Sequence, residues 1–191
     1  MKNKEKGFAL PVALLLLVVM TLMGATLVSM TASDIRANDD KDKGQQAFYA
    51  AESGIAHAKR WMKTNTNNLT GSSQRNLNND LKFCKTTLFP NLVGTNGFTL
   101  QRKSLNEVIS ASGDEQKRLS NFSFEWFVAY SPNQSGNNSS PKKKPGTNKT
   151  YYTIYSCGCD GPKSTCRSQN NKIVALEAVV TLSTQWKKLY L

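Results

Sequence analysis

One apolar run near the amino terminus constrains this chain more than any other feature. Residues 8–33 form 26 consecutive positions without a charge, and most of them are Leu, Val, Met or Ala. A helix of this length extends about 39 Å, and a hydrocarbon core is about 30 Å thick. A secretory signal has an apolar region of only about 7–15 residues before a small-residue cleavage site. The run therefore predicts a retained membrane-spanning helix rather than a conventional cleaved signal.

The charges that flank this run predict its orientation. Lys2, Lys4 and Lys6 precede it, opposed only by Glu5. Positive charge is retained on the cytoplasmic side of membrane helices, so the amino terminus is expected in the cytoplasm. The bulk of the chain then lies outside the cytoplasm, where disulfides persist.

Two short stretches resemble one known family. Lys6-Gly7-Phe8-Ala9-Leu10 is similar to the cleavage region of type IV prepilins, and residues 45–55 (QQAFYAAESGI) resemble the segment after the membrane helix in PilX-type minor pilins. The resemblance covers about the first 62 residues. It implies that a prepilin peptidase cuts after Gly7 and methylates the new amino terminus on Phe8, while the apolar helix is kept.

The fifth position after the expected cleavage point departs from most of that family. Most pilins carry glutamate there, whereas this chain has Val12, preceded by Pro11. PilX-like minor pilins and one class of type II secretion pseudopilins also lack the glutamate. The resemblance therefore implies that Val12 determines a first or tip position, and it argues against a bulk subunit of the fibre.

The remaining pattern predicts an α+β fold in which a long helix packs on an antiparallel sheet, and the resemblance implies that this fold is of the type IV pilin kind. Apolar residues step by three and four from Ala47 to Met62, which is typical of an amphipathic helix. We expect one helix from about Leu10 to Met62, with transmembrane residues 8–33 and amphipathic residues 34–63. Residues 1–7 are the expected leader and residues 64–191 a β-rich globular domain. Predicted strands cover residues 121–130, 150–155 and 172–182, and a weaker candidate covers 98–103.

The chain has an even set of four cysteines: Cys84, Cys157, Cys159 and Cys166. Their spacing is not that of a paired zinc motif, and the expected compartment is oxidising, so we expect two disulfides and no metal. A Cys157–Cys159 bond would be strained. Two pairings stay open: Cys157–Cys166 with Cys84–Cys159, or Cys84–Cys157 with Cys159–Cys166.

Catalysis has little support in the sequence. No nucleophile elbow, zinc-protease motif or phosphate-binding loop is present. His57 is the only histidine and is expected to be an exposed or half-buried helix residue. Asp39, Asp40 and Asp42 lack the glycine and glutamate of a calcium loop. We therefore expect neither enzymatic activity nor a cofactor.

The formal net charge is +12, and its densest cluster is Lys142, Lys143 and Lys144. This cluster lies in the low-complexity segment 131–149, which is expected to be a mobile loop between two strands. It is a candidate contact for an anionic partner. Nucleic acid is a weaker candidate, because aromatic stacking residues are not interleaved with these lysines.

Together these features predict a minor pilin that primes or caps type IV pilus assembly, in support of motility and adhesion. It would reside in the inner membrane with a cytoplasmic amino terminus, and in the periplasm and surface pilus after assembly. The resemblance implies as partners other minor pilins, the major pilin, a tip adhesin, the prepilin peptidase and the assembly platform. The alternatives are a type II secretion pseudopilin at a filament tip, or a membrane-tethered extracytoplasmic domain that binds DNA or a surface.

Overall fold

A long helix followed by a sheet makes up the part of the chain that the computed structural model describes, residues 9–92, 96–132, 138–166 and 171–183. The helices are α1 (Ala9–Thr64) and α2 (Gly113–Ser120). The strands are β1 (Arg75–Asn76), β2 (Asn96–Gly97), β3 (Thr99–Ser104), β4 (Ser123–Tyr130), β5 (Lys142–Lys143), β6 (Lys149–Cys159) and β7 (Ile173–Ser183). The chain divides into two units, Met1–Asp42 and Lys43–Leu191.

In the first unit, α1 carries the apolar run with its side chains exposed. Leu10, Leu27 and Val28 keep 70%, 65% and 70% of their surface accessible. Among the described residues, α1 is the one helix that is long and apolar enough to cross a membrane, by length and composition. The helix includes both Gly24 and Gly44.

The second unit contains an antiparallel sheet built around β6. That strand pairs with β4 from Tyr152 to Cys159 and with β5 at Thr150 and Tyr151, while β7 pairs with it from Lys149 to Cys159. β3 pairs with the other edge of β4, and β1 and β2 form a separate two-stranded ribbon. The predicted long helix and antiparallel sheet are confirmed.

The sheet has a buried core on each face. On one face, the apolar side of α1 packs against alternate residues of β4, with Ala50, Ala58 and Met62 meeting Phe124 and Trp126. The other face is covered by irregular chain between α1 and β3, including Leu77, Phe83 and Phe89. Both faces of β4 are thus buried along its full length.

Two local features differ from the sequence prediction. The helix α2 was not predicted, because its eight residues include a single buried apolar side chain, Leu119, and so lack a hydrophobic period. The segment 131–149 was predicted to be a mobile loop, but its described part contains β5, which pairs with β6 across a turn in which Gly146 has a φ of +68°. The backbone hydrogen bonds of that pairing order residues 142–149 despite their polar composition.

Candidate functional site

A buried carboxylate organises the face of the sheet opposite α1. Glu125, in the middle of β4, has no accessible surface. Its oxygens accept hydrogen bonds from the backbone N–H groups of three consecutive residues, Lys82, Phe83 and Cys84, at 2.8–3.1 Å. Arg102 of β3 adds two more, from Nε at 3.1 Å and Nη2 at 2.6 Å. A buried charge is tolerated here because both its countercharge and its hydrogen bonds are supplied.

Three neighbouring strands contribute to this arrangement at one register position. Arg102 is the β3 partner of Glu125, and Cys157 is its β6 partner. Cys157 forms a disulfide with Cys84, which is one of the residues that donate to Glu125. Residues 82–84 are therefore held to the sheet twice, by a charge-assisted network and by a covalent bond.

The second disulfide joins Cys159 and Cys166 and closes the loop between β6 and β7. The four cysteines thus pair as Cys84–Cys157 and Cys159–Cys166, the second of the two arrangements left open by the sequence. The register explains this pairing, because the β6 position that faces residues 82–84 across Glu125 is Cys157.

These anchored segments border a pocket of about 250 Å³, lined by Lys82, Phe83, Arg102, Lys163 and Ser164. We call it the basic pocket, since three of its five lining residues are cations. Lys163 and Ser164 lie in the loop closed by the Cys159–Cys166 disulfide. The pocket was not predicted from the sequence, because its residues come from three separate segments of the chain and carry no shared motif.

An acidic neighbour adjoins the basic pocket. Lys163 Nζ forms an ion pair with a carboxylate oxygen of Glu107, and both side chains are partly exposed. The hydrogen bond from Lys163 is the main reason that the pKa of Glu107 is lowered. The backbone N–H of Ser104 also donates a hydrogen bond to the Glu107 carboxylate, at 3.5 Å, and the two residues form a capping box.

The contact between α1 and the sheet is unusually close at Gly158. A methyl group on this residue would lie 2.0 Å from the carbonyl oxygen of Ala47 and 2.2 Å from the nitrogen of Ala51. Nearby, the Ser156 hydroxyl donates to the carbonyl oxygen of Ala51 at 2.8 Å. The glycine between Cys157 and Cys159 therefore lets the helix backbone approach the central strand directly.

His57 lies on the face of α1 that meets β4, and it is half-buried, as the sequence predicted. Its Nδ1 accepts a hydrogen bond from Nε1 of Trp126 at 3.2 Å. Burial lowers the pKa of His57, with smaller contributions from the charges of Lys103 and Arg60. The neutral imidazole is therefore favoured, and the residue completes a packing contact.

The remaining candidate residues lie apart from the basic pocket in the chain. Lys142, Lys143 and Lys144 are exposed on the hairpin formed by β5 and β6. Val12 is exposed on α1, in the first unit. Gly7 and Phe8, the expected cleavage and methylation positions, lie outside the described residues.

Within the described ranges, no group of three or more His, Cys, Asp or Glu residues is placed to hold a metal ion. Comparisons with protein-family models, with curated proteins and with solved structures found no match.

Proposed function

We propose that this chain is a minor pilin of the PilX kind, which starts or caps a type IV pilus. The observation that carries the proposal is the exposure of the apolar half of α1. Every residue of its most apolar 18-residue window is unburied, at a mean hydropathy of 2.5. Such a surface requires lipid or the apolar helices of neighbouring subunits to cover it. A subunit that moves from membrane to filament core meets both environments in turn.

The second unit supports the same proposal. Its part of α1 packs an apolar face on an antiparallel sheet, the layering that the resemblance to pilins implies. The residues that resemble a PilX-type segment include Ala47, Ala50 and Ala51, all fully buried in this contact. Their small size fits the close approach at Gly158.

We expect processing of the amino terminus to depend on Gly7. A residue without a side chain allows the peptidase to approach the backbone closely. In the native host, mass spectrometry of the wild-type protein should show an amino terminus at a methylated Phe8. Gly7→Leu should instead retain Met1 and migrate more slowly on a gel, whereas Gly24→Leu, beyond the cleavage region, should be processed normally. An intact Met1 in the wild type would favour a tethered extracytoplasmic domain instead.

The position in the filament follows from Val12. A carboxylate in an apolar helix bundle is costly unless it is paired, so a subunit with glutamate at this position depends on a charged amino terminus ahead of it. A subunit with Val12 carries no such charge, so it does not require another subunit ahead of it in the filament. The amine on Phe8 can still pair with the glutamate of the next arrival. This asymmetry suits a first subunit.

Antibody labelling of sheared filaments tests this position. The exposed hairpin at Lys142–Lys144 is a suitable epitope. We expect rare gold label confined to one filament end, together with loss of pili when the gene is deleted. Regular label along the shaft would contradict the tip position while leaving membership of the filament intact.

A further inference from the structure

We propose that the basic pocket binds a phosphate group, either as free phosphate or as a phosphate monoester on a small sugar. The inference does not depend on membrane anchoring or filament assembly. It rests on a concave site in which Lys82, Arg102 and Lys163 line a common space with the hydroxyl-bearing Ser164. Lysine and arginine together with a hydroxyl supply the donors that phosphate oxygens accept.

The pocket retains donors that the described part of the chain does not use. Arg102 commits Nε and Nη2 to Glu125 and to the carbonyl oxygen of Asp80, but its Nη1 donates to none of the described residues. Lys82 has an exposed side chain, and within the described ranges its Nζ takes part in no ion pair or hydrogen bond. Both groups are therefore free to bind a ligand oxygen.

The walls of the basic pocket are held in place before any ligand arrives. Glu125 and the Cys84–Cys157 disulfide fix residues 82–84, and Arg102 is oriented by its two bonds to the same carboxylate. The Cys159–Cys166 disulfide closes the short loop that carries Lys163 and Ser164. The Arg102 guanidinium, fixed in this way, loses little conformational entropy on binding, which favours affinity for a small ligand.

The size of the pocket selects a small ligand. Its volume of about 250 Å³ lies below the roughly 300–1,000 Å³ of pockets that hold drug-sized molecules. Phe83 also lines the pocket but is almost fully buried, so it offers a ligand little surface. A phosphate group, alone or with one sugar ring, suits such a space, with the phosphate on the cations.

Glu107 competes with the ligand for Lys163. The two side chains form an ion pair at the pocket, so a bound anion must share or displace the carboxylate. Neutralising Glu107 should therefore strengthen phosphate binding. Glutamine at this position retains an oxygen that can accept from the backbone N–H of Ser104, so the capping box is preserved.

The test is calorimetric titration of the full chain in nonionic detergent at low ionic strength. Glucose 6-phosphate, inorganic phosphate and glucose are the probes. We expect glucose 6-phosphate to bind and glucose not to bind. Lys82→Ala should weaken binding about tenfold, the effect of losing one charge-assisted hydrogen bond. Lys63→Ala, which removes the same charge from the exposed end of α1, should leave affinity unchanged.

Two further variants distinguish binding at the basic pocket from non-specific attraction between an anion and a positively charged protein. Glu107→Gln should tighten binding severalfold, whereas Glu115→Gln, which breaks an exposed pair with Arg118 on α2, should not. If inorganic phosphate binds as tightly as the sugar ester, the ligand is free phosphate; if the ester binds tighter, the ring contributes. Absence of binding by both phosphates, or equal weakening by Lys82→Ala and Lys63→Ala, would overturn the proposal.

Discussion

Gly158→Ala should destabilise the second unit by about 3 kcal/mol, the upper end of the usual cost of overpacking. The added methyl group would lie 2.0 Å from the carbonyl oxygen of Ala47 and 2.2 Å from the nitrogen of Ala51. Both obstacles are backbone atoms of α1, so no side-chain rotation relieves the overlap. The helix must move away from β6, and the hydrogen bond from Ser156 to Ala51 must lengthen with it. Urea unfolding of the full chain in detergent, followed by tryptophan fluorescence, measures the loss.

Gly44→Ala is the matched control for this substitution. A methyl group added at Gly44 would have no neighbouring atom within 4 Å, and the residue lies in the interior of α1. Alanine is favoured over glycine in a helix interior by about 1 kcal/mol, so this variant should be slightly more stable than the wild type. Equal stability of Gly158→Ala and the wild type would show that α1 does not approach the sheet as closely as described.

The main elements of the fold follow from local patterns in the sequence. The uncharged run and the amphipathic stripe from Ala47 to Met62 predict α1, whose observed bounds are Ala9–Thr64. Alternating aromatic residues predict β4, and β-branched residues predict β7, because both patterns match the pleat of a half-buried strand. The helix α2 escaped prediction because it lacks a hydrophobic period, and β5 because its two lysines give no strand pattern before they pair with β6.

The candidate site, in contrast, depends almost entirely on contacts between distant parts of the chain. Arg102, Glu125 and Cys157 share one register position, but register is set by strand pairing and is not written in any single segment. One signal was present in the sequence: Glu125 is a lone acid in a strand of apolar and aromatic residues. A charge at such a position requires a buried partner, and the neighbouring strand candidate contains Arg102.

Substitutions at Glu125 should therefore also cause a large loss of stability. Glu125→Ala removes the acceptor for the backbone N–H groups of Lys82, Phe83 and Cys84 and for the Arg102 guanidinium. Breaking a buried ion pair by removing one partner costs about 3–5 kcal/mol, because the remaining charge is left uncompensated. We expect a loss of this size in urea unfolding of the oxidised full chain. Glu125→Gln, which keeps one carbonyl oxygen but no charge, should fall between the alanine variant and the wild type.

The same substitution at an exposed ion pair provides the control. Glu115 pairs with Arg118 on α2 at 2.9 Å, with both side chains largely in solvent. Exposed pairs contribute little because water screens the charges, so Glu115→Ala should not change the unfolding curve measurably.

The Cys84–Cys157 disulfide keeps residues 82–84 near β6 even when Glu125 is absent. Reduction should therefore lower the stability of Glu125→Ala by a different amount than that of the wild type, because two anchors of one segment are not independent. Equal losses on reduction would show that the carboxylate and the disulfide act separately.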